Sequence, residues 1–307
     1  MSKGFSLLIA GLMLSAGILA GCTLPGAASP TPFTFPTPNL THTAIFVPEA
    51  TLTPAPPTQP APPTNTPAAT LPTIVTPAAS VTTGALSSRP NGSPITAAYL
   101  TTAPTIDGNL TDWTTTSYAV NQVVFGTANW GGASDASATF HIGWDTGNLY
   151  LGVHIVDERF VQNSAGRYLY LGDDVELQLD TNLASDYYLT VLDGDDYQLG
   201  LSAGNFGILP PEAYLWYPAA LEGARATVTV KAVAAADGYT LEARIPWTVV
   251  SVTPLGGSRF GFALSCSDND LPATSRQQSM VSTVNTRMLT NPTTWGTLIL
   301  EQPGGGS

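Results

Sequence analysis

Between residues 138 and 264 apolar side chains recur at every second position, and this period of two constrains the fold more than any other feature of the chain. Ala138-Phe140-Ile142, Leu149-Leu151-Val153-Ile155, Val175-Leu177-Leu179, Leu199-Leu201, Ala226-Val228-Val230, Tyr239-Leu241-Ala243-Ile245 and Phe260-Phe262-Leu264 each give an extended segment one apolar face. Runs of this kind, rich in β-branched and aromatic residues and separated by Gly, Asp and Asn turns, predict strands with one buried side. Only Pro246 to Val252 suggests a helical turn. Many short strands without interleaved helices predict an all-β fold, an antiparallel β-sandwich.

The rest of the chain is composed differently. Residues 23–94 hold 17 Pro and 16 Thr but only two charged side chains, Glu49 and Arg89. Repeated Thr-Pro and Pro-Pro steps fix φ, remove backbone donors and leave little apolar area to bury, so this stretch is expected to be a disordered, semi-stiff tether. At about 3.1 Å per residue it would reach on the order of 200 Å when extended. Ahead of it, Lys3, the apolar run Phe5 to Ser15 and the small residues Leu19-Ala20-Gly21 read as an export signal over residues 1–21. That run is too short to span a bilayer. Leu19-Ala20-Gly21-Cys22 resembles a bacterial lipobox, which implies a lipidated Cys22. Two or three acyl chains there would anchor the protein stably. The expected organisation is a signal peptide (1–21), a tether (22–94), one domain (95–301) and a short tail (302–307), lipid-anchored, facing outward and monomeric.

The domain carries nearly all the charge. The whole chain has 22 acidic and 10 basic residues, a net charge of −12, and 21 of the acidic ones fall within residues 95–301. An acidic domain lacks the attraction to phosphate on which nucleic-acid binding rests, so a nucleic-acid partner is excluded. Cys266 is the only cysteine of the domain, so no disulfide can form within it.

Several patterns bear on chemistry. Gly200-Leu201-Ser202-Ala203-Gly204 matches a nucleophile-elbow spacing, but Gly and Pro follow where a helix should, and both domain histidines, His141 and His154, precede it. A glycosidase would need two flanking carboxylates, for which Glu176 and Glu242, both on non-core strand faces, are the candidates. Asp107-Gly108-Asn109 with Asp112, Asp193-Gly194-Asp195-Asp196, and Asp268-Asn269-Asp270 are oxygen-rich turns of the kind Ca²⁺ prefers, and equally turns that Asp and Asn adopt for conformational reasons. Heme ligation by Met280, Met288, His141 or His154 has no supporting spacing. Exposed aromatics can stack on the C–H face of a sugar. Loop candidates are Trp130, Tyr168, Tyr170, Tyr214, Trp216 and Tyr217, whereas Trp113, Trp144 and Trp247 lie in core-like contexts.

The order of short motifs resembles a carbohydrate-binding module of family 9. It runs from Ile106-Asp107-Gly108-Asn109-Leu110-Thr111-Asp112-Trp113 through Trp144-Asp145, Asn148-Leu149-Tyr150-Leu151 and Asp157 to Asp173-Asp174-Val175-Glu176-Leu177-Gln178-Leu179-Asp180. Gly238 to Trp247, Gly261-Phe262, Asp268 to Asp270 and Trp295-Gly296-Thr297-Leu298 complete it. The resemblance implies a β-sandwich, often with bound calcium, serving as a non-catalytic accessory to polysaccharide-degrading glycoside hydrolases. It also implies a sugar clamped between two aromatic rings. By position, the first ring falls on Tyr170 and a sugar-bonding carboxylate on Glu176. The second falls near Met288-Leu289, where no aromatic stands, and an Arg and an Asn of the pattern appear as Gly200 and Ser202. Either Trp216 or Trp130 then supplies a substitute platform, or the site is repurposed. The resulting expectation is a non-catalytic surface lipoprotein that binds poly- or oligosaccharide in support of polysaccharide catabolism; an electron-transfer heme domain, a glycosidase and a structural surface protein are the rival readings.

Overall fold

The computed structural model describes residues 88–304, so the expected signal peptide, Cys22 and the tether up to residue 87 lie outside the described residues. Fourteen strands and a few single 3-10 turns make up the described chain. The strands are β1 (Ile95–Tyr99), β2 (Ser117–Val120), β3 (Gln122–Phe125), β4 (Ser137–Trp144), β5 (Asn148–Val156), β6 (Asp174–Asp180) and β7 (Asp196–Ser202). They continue with β8 (Glu212–Tyr217), β9 (Gly223–Ala224), β10 (Thr229–Ala235), β11 (Gly238–Pro246), β12 (Arg259–Asp268), β13 (Ser279–Ser282) and β14 (Gly296–Leu300).

Two layers face each other. One runs β10-β11-β5-β4, with β2 added along β4; the other runs β9-β8-β7-β6-β12-β14, with β13 continuing the β12 edge beyond β14 and pairing in turn with β3. β1 joins them: Ile95 to Ala97 pair in parallel with β14, and Ala98 and Tyr99 with β4. A strand that changes sheet closes one corner of the sandwich.

The alternating residues fill the space between the layers. Phe140, Leu151, Val153, Leu177, Leu199, Leu241, Phe262 and Leu264 are all buried in one core, and the Phe140 and Phe262 rings meet across the two sheets at 6.3 Å. Each such side chain contributes about 1.5–3 kcal/mol by leaving water. Cys266 is buried in the same core. The helical turn expected after Pro246 is a single 3-10 turn, Trp247–Val249.

Packing begins upstream of the expected boundary at residue 95. Arg89, counted with the tether on composition, is 3% exposed, and its Nη2 lies 2.6 Å from Asp180 Oδ2. Asn91 donates to the carbonyls of Thr293 and Trp295, both at 2.8 Å. Proline content marks a segment that cannot fold alone; it does not reveal a single arginine that finds a buried carboxylate.

Candidate functional site

β6 alternates strictly, with Val175, Leu177 and Leu179 turned into the core and Asp174, Glu176, Gln178 and Asp180 onto the opposite face. That second face is buried too, contrary to the solvated strand face expected from alternation, because loops cover it. One cover is the 3-10 segment Gly166–Leu171; another is the chain after β13, which carries Arg287, Met288 and Leu289. Between them a groove enclosing about 660 Å³ opens over β6 and β7.

Glu176 lies at its floor, 4% exposed. Its Oε2 accepts from Arg287 Nη2 at 2.9 Å and Gln178 Nε2 at 3.2 Å, and its Oε1 from the Ser267 hydroxyl at 3.3 Å. Such a set fixes the carboxylate and leaves it part of its acceptor capacity. Beside it, burial first and the Glu176 charge second push the Asp174 carboxyl well above the usual range.

Two aromatic rings form one wall. Tyr170 projects from the 3-10 segment, whose residues alternate so that Leu169 is buried while Tyr168 and Tyr170 are exposed. Trp216 meets it edge-on, with ring centroids 6.2 Å apart at 75°. Its placement follows from a β-bulge: Gln198 faces Tyr217 and Leu199 faces Leu215, leaving Trp216 as the extra residue of β8. Bulges re-aim side chains in this way beside functional sites. The indole N–H then donates to the Arg167 carbonyl at 2.9 Å, and a Cβ at Gly200 would collide with the indole ring. Gly200, where the family pattern has Arg, is the space Trp216 needs.

The remaining apolar lining is Phe125 of β3, Met280 of β13, Met288 and Leu289. Gln198 and Gln277 add amides; Gln198 Nε2 donates to the Leu289 carbonyl at 2.5 Å. Tyr170, Glu176 and Trp216, all singled out from sequence, line one groove. Trp130 does not. Its indole donates to the Ala136 carbonyl at 2.9 Å and packs against the core, so it is no platform here. Phe125, Gln198, Gln277 and Arg287 escaped the sequence reading because strands and loops remote in the chain bring them in; Arg287, one of few basic residues in an acidic domain, carried the one available signal.

The other candidates disperse. Ser202 is buried, and its hydroxyl accepts the Gly204 N–H at 3.1 Å in a turn that no helix follows. Glu242 lies on β11 in the opposite layer, bonded to Trp113 Nε1 at 2.7 Å and to the N–H groups of Gly108 and Asp107 at 2.7 and 2.9 Å. Glu176 and Glu242 therefore sit on outer faces of opposed sheets and do not flank a common bond. His141 and His154 stand on β4 and β5, away from Met280 and Met288, so the four do not converge as heme ligands; Met280 Sδ instead accepts from Arg287 Nη1 at 3.0 Å.

The acidic turns divide as well. Asp107 caps its own turn through the Asn109 N–H, and Asp112 accepts the Thr105 N–H. No third carboxylate joins either of them among the described residues. Asp268 and Asp270 instead meet Asp157, Asp135 and Glu158, and Asp193 and Asp195 meet Asp196, Asp180 and Asp186. Burial first, then hydrogen bonds that oppose it and neighbouring carboxylates that add to it, push Asp268 and Asp196 up to about 7. Asp268 Oδ1 and Asp196 Oδ1 are buried without a hydrogen-bond partner. Crowded, orphaned carboxylate oxygens of this kind fit a hard divalent cation.

Two comparisons place this fold among known proteins. A family model described as carbohydrate family 9 binding domain-like matches residues 106–303. A family 9 carbohydrate binding module from Caldicellulosiruptor kristjanssonii in complex with cellotriose is similar at 24% identity, over 68% of this chain and 94% of that one, with a TM-score of 0.52. A structure of such a module from the same organism with glucose gives 22% identity, over 70% and 99% of the two chains, with a TM-score of 0.54. No curated protein matches. With its described strands arranged as this sandwich, and well over half of its length within that model, the chain belongs to the carbohydrate family 9 binding domain-like family.

Proposed function

We propose that the domain binds poly- or oligosaccharide in the groove over Glu176, without catalysis, as the capturing element of a surface lipoprotein. The observation that carries this reading is the convergence of Tyr170, Trp216 and Glu176 on one groove. A sugar ring stacks its C–H face on the aromatic wall, while Glu176, Arg287, Gln198 and Gln277 supply the polar groups that orient its hydroxyls. The separation of Glu176 from Glu242 onto opposed faces supports a binding role over glycoside hydrolysis.

Titration calorimetry with cellotriose and xylotriose tests it. Tyr170→Ala is expected to weaken binding about tenfold, the loss of roughly 1.4 kcal/mol of stacking, with the melting temperature nearly unchanged. Absence of heat with every neutral oligosaccharide would reject the reading.

The acidic clusters around Asp268 and Asp196 are proposed calcium sites that brace the sandwich, Asp157, Asp270, Asp180 and Asp195 being further ligands. The long Pro/Thr tether and Cys22 support anchoring at an outward-facing membrane surface in aid of polysaccharide catabolism. Release of the protein from the membrane fraction by Cys22→Ser checks the anchor.

A further inference from the structure

The two walls of the groove are unlike, and the polar group between them is unevenly satisfied. One wall is aromatic, Tyr170 and Trp216; the other is Phe125, Met280, Met288 and Leu289, flexible or aliphatic except for one ring. Such an apolar, largely flexible wall gives a sugar hydroxyl nothing to bond, but it receives a methyl group well. Phe125, Met288 and Leu289 are about half exposed, so this apolar surface remains open to a ligand.

Arg287 sits between the walls with its side chain 7% exposed. Nη2 is engaged by Glu176, but Nη1 points at the Met280 thioether at 3.0 Å, and Nε is buried with no partner. A thioether is a weak acceptor. The guanidinium therefore offers a donor whose present partner is poor, next to a surface that favours methyl groups. Glu176, with three donors already on it, has less capacity left for hydroxyls.

Donor and apolar wall together match an acetyl group, which joins a carbonyl acceptor to a methyl. A uronate would supply an acceptor too, but as an anion it would compete with Glu176 for Arg287 and be repelled by a chain of net charge −12. We propose that the groove takes an acetylated sugar. The ring lies on Tyr170 and Trp216, the acetyl carbonyl accepts from Arg287 in place of the Met280 sulfur, and the methyl packs on Met280, Met288 and Phe125. This inference rests on the carbohydrate-binding reading above and names its ligand class.

The acetyl group can be an O-acetyl ester or an N-acetyl amide, and calorimetry on the intact protein separates the two. O-acetylated xylotriose is compared with the same sample after alkaline deacetylation, and N,N′,N″-triacetylchitotriose with cellotriose. Tighter binding of one acetylated partner, by tenfold or more, is expected, and the pair that shows it identifies the linkage. Met288→Thr should bring that ratio toward one. Equal or tighter binding of both unacetylated sugars overturns the acetyl assignment while leaving saccharide binding intact; binding of none of the four overturns the assignment together with the reading on which it rests.

Discussion

The two outer faces of the sandwich carry the same three residue types in the same relation, yet the space around them differs. On β11, Glu242 faces Gly152 across the ladder, and Trp113 lies over that glycine; on β6, Glu176 faces Gly200, and Trp216 lies over it. In each case the glycine supplies the space for an indole beside a buried carboxylate. The difference is what the indole N–H does. Trp113 donates to Glu242 itself, closing a contact that also takes the Asp107 and Gly108 N–H groups, whereas Trp216 donates to the Arg167 backbone and leaves Glu176 facing a groove. Both glutamates take only internal donors, but Glu242 lies closed beneath its tryptophan while Glu176 lines an open groove, which is why only the latter is proposed to meet a ligand.

The largest effect is expected from breaking the fastener. Glu242→Ala strands two backbone N–H groups and an indole N–H, and should cost about 4 kcal/mol on a urea unfolding curve, with saccharide affinity retained in the folded fraction. A loss of binding without a loss of stability would make the two faces equivalent and sink the distinction.

Next comes the charge at the edges of the sheets. In the metal-free protein, Asp268, Asp195 and Asp196, with carboxyls raised to about 7, bind protons more readily folded than unfolded. Stability should therefore be highest near pH 4 and decline as pH rises through about 7. Calcium at about 100 times its dissociation constant would add about 2.7 kcal/mol, roughly 5–10 °C in melting temperature, and flatten that decline. Identical melting curves in calcium and in chelator at pH 7.5 would remove the proposed sites.

The smallest expected effect concerns the groove itself. Gly200→Ala forces Trp216 off its seat and should weaken oligosaccharide binding about tenfold at a stability cost near 1 kcal/mol. Unchanged affinity would show that Trp216 is packing only.

The sandwich was legible because its long strands each display one apolar face, as β5 and β11 do over nine residues. β9, with two residues, and β3, with four, are too short to carry a period and are held by their neighbours. At the groove, Tyr170 and Glu176 were legible from motif order; Trp216 was read as a loop residue, whereas it stands on β8 and reaches the groove through a bulge. Arg287 was not, since its partner Glu176 is 111 residues away and no local pattern records that contact. Alternation also misled in one respect: it separates core from non-core faces, and it is silent on whether a loop then covers the second face.

The strand shared by the two sheets has a mechanical consequence. Load applied from the N-terminal side of the domain, while a bound glycan holds the groove, would arrive first at the Arg89–Asp180 pair and then along the axis of β1. Because β1 pairs in parallel with β14 and continues onto β4, such a pull shears several hydrogen bonds at once, across both layers, instead of peeling them singly.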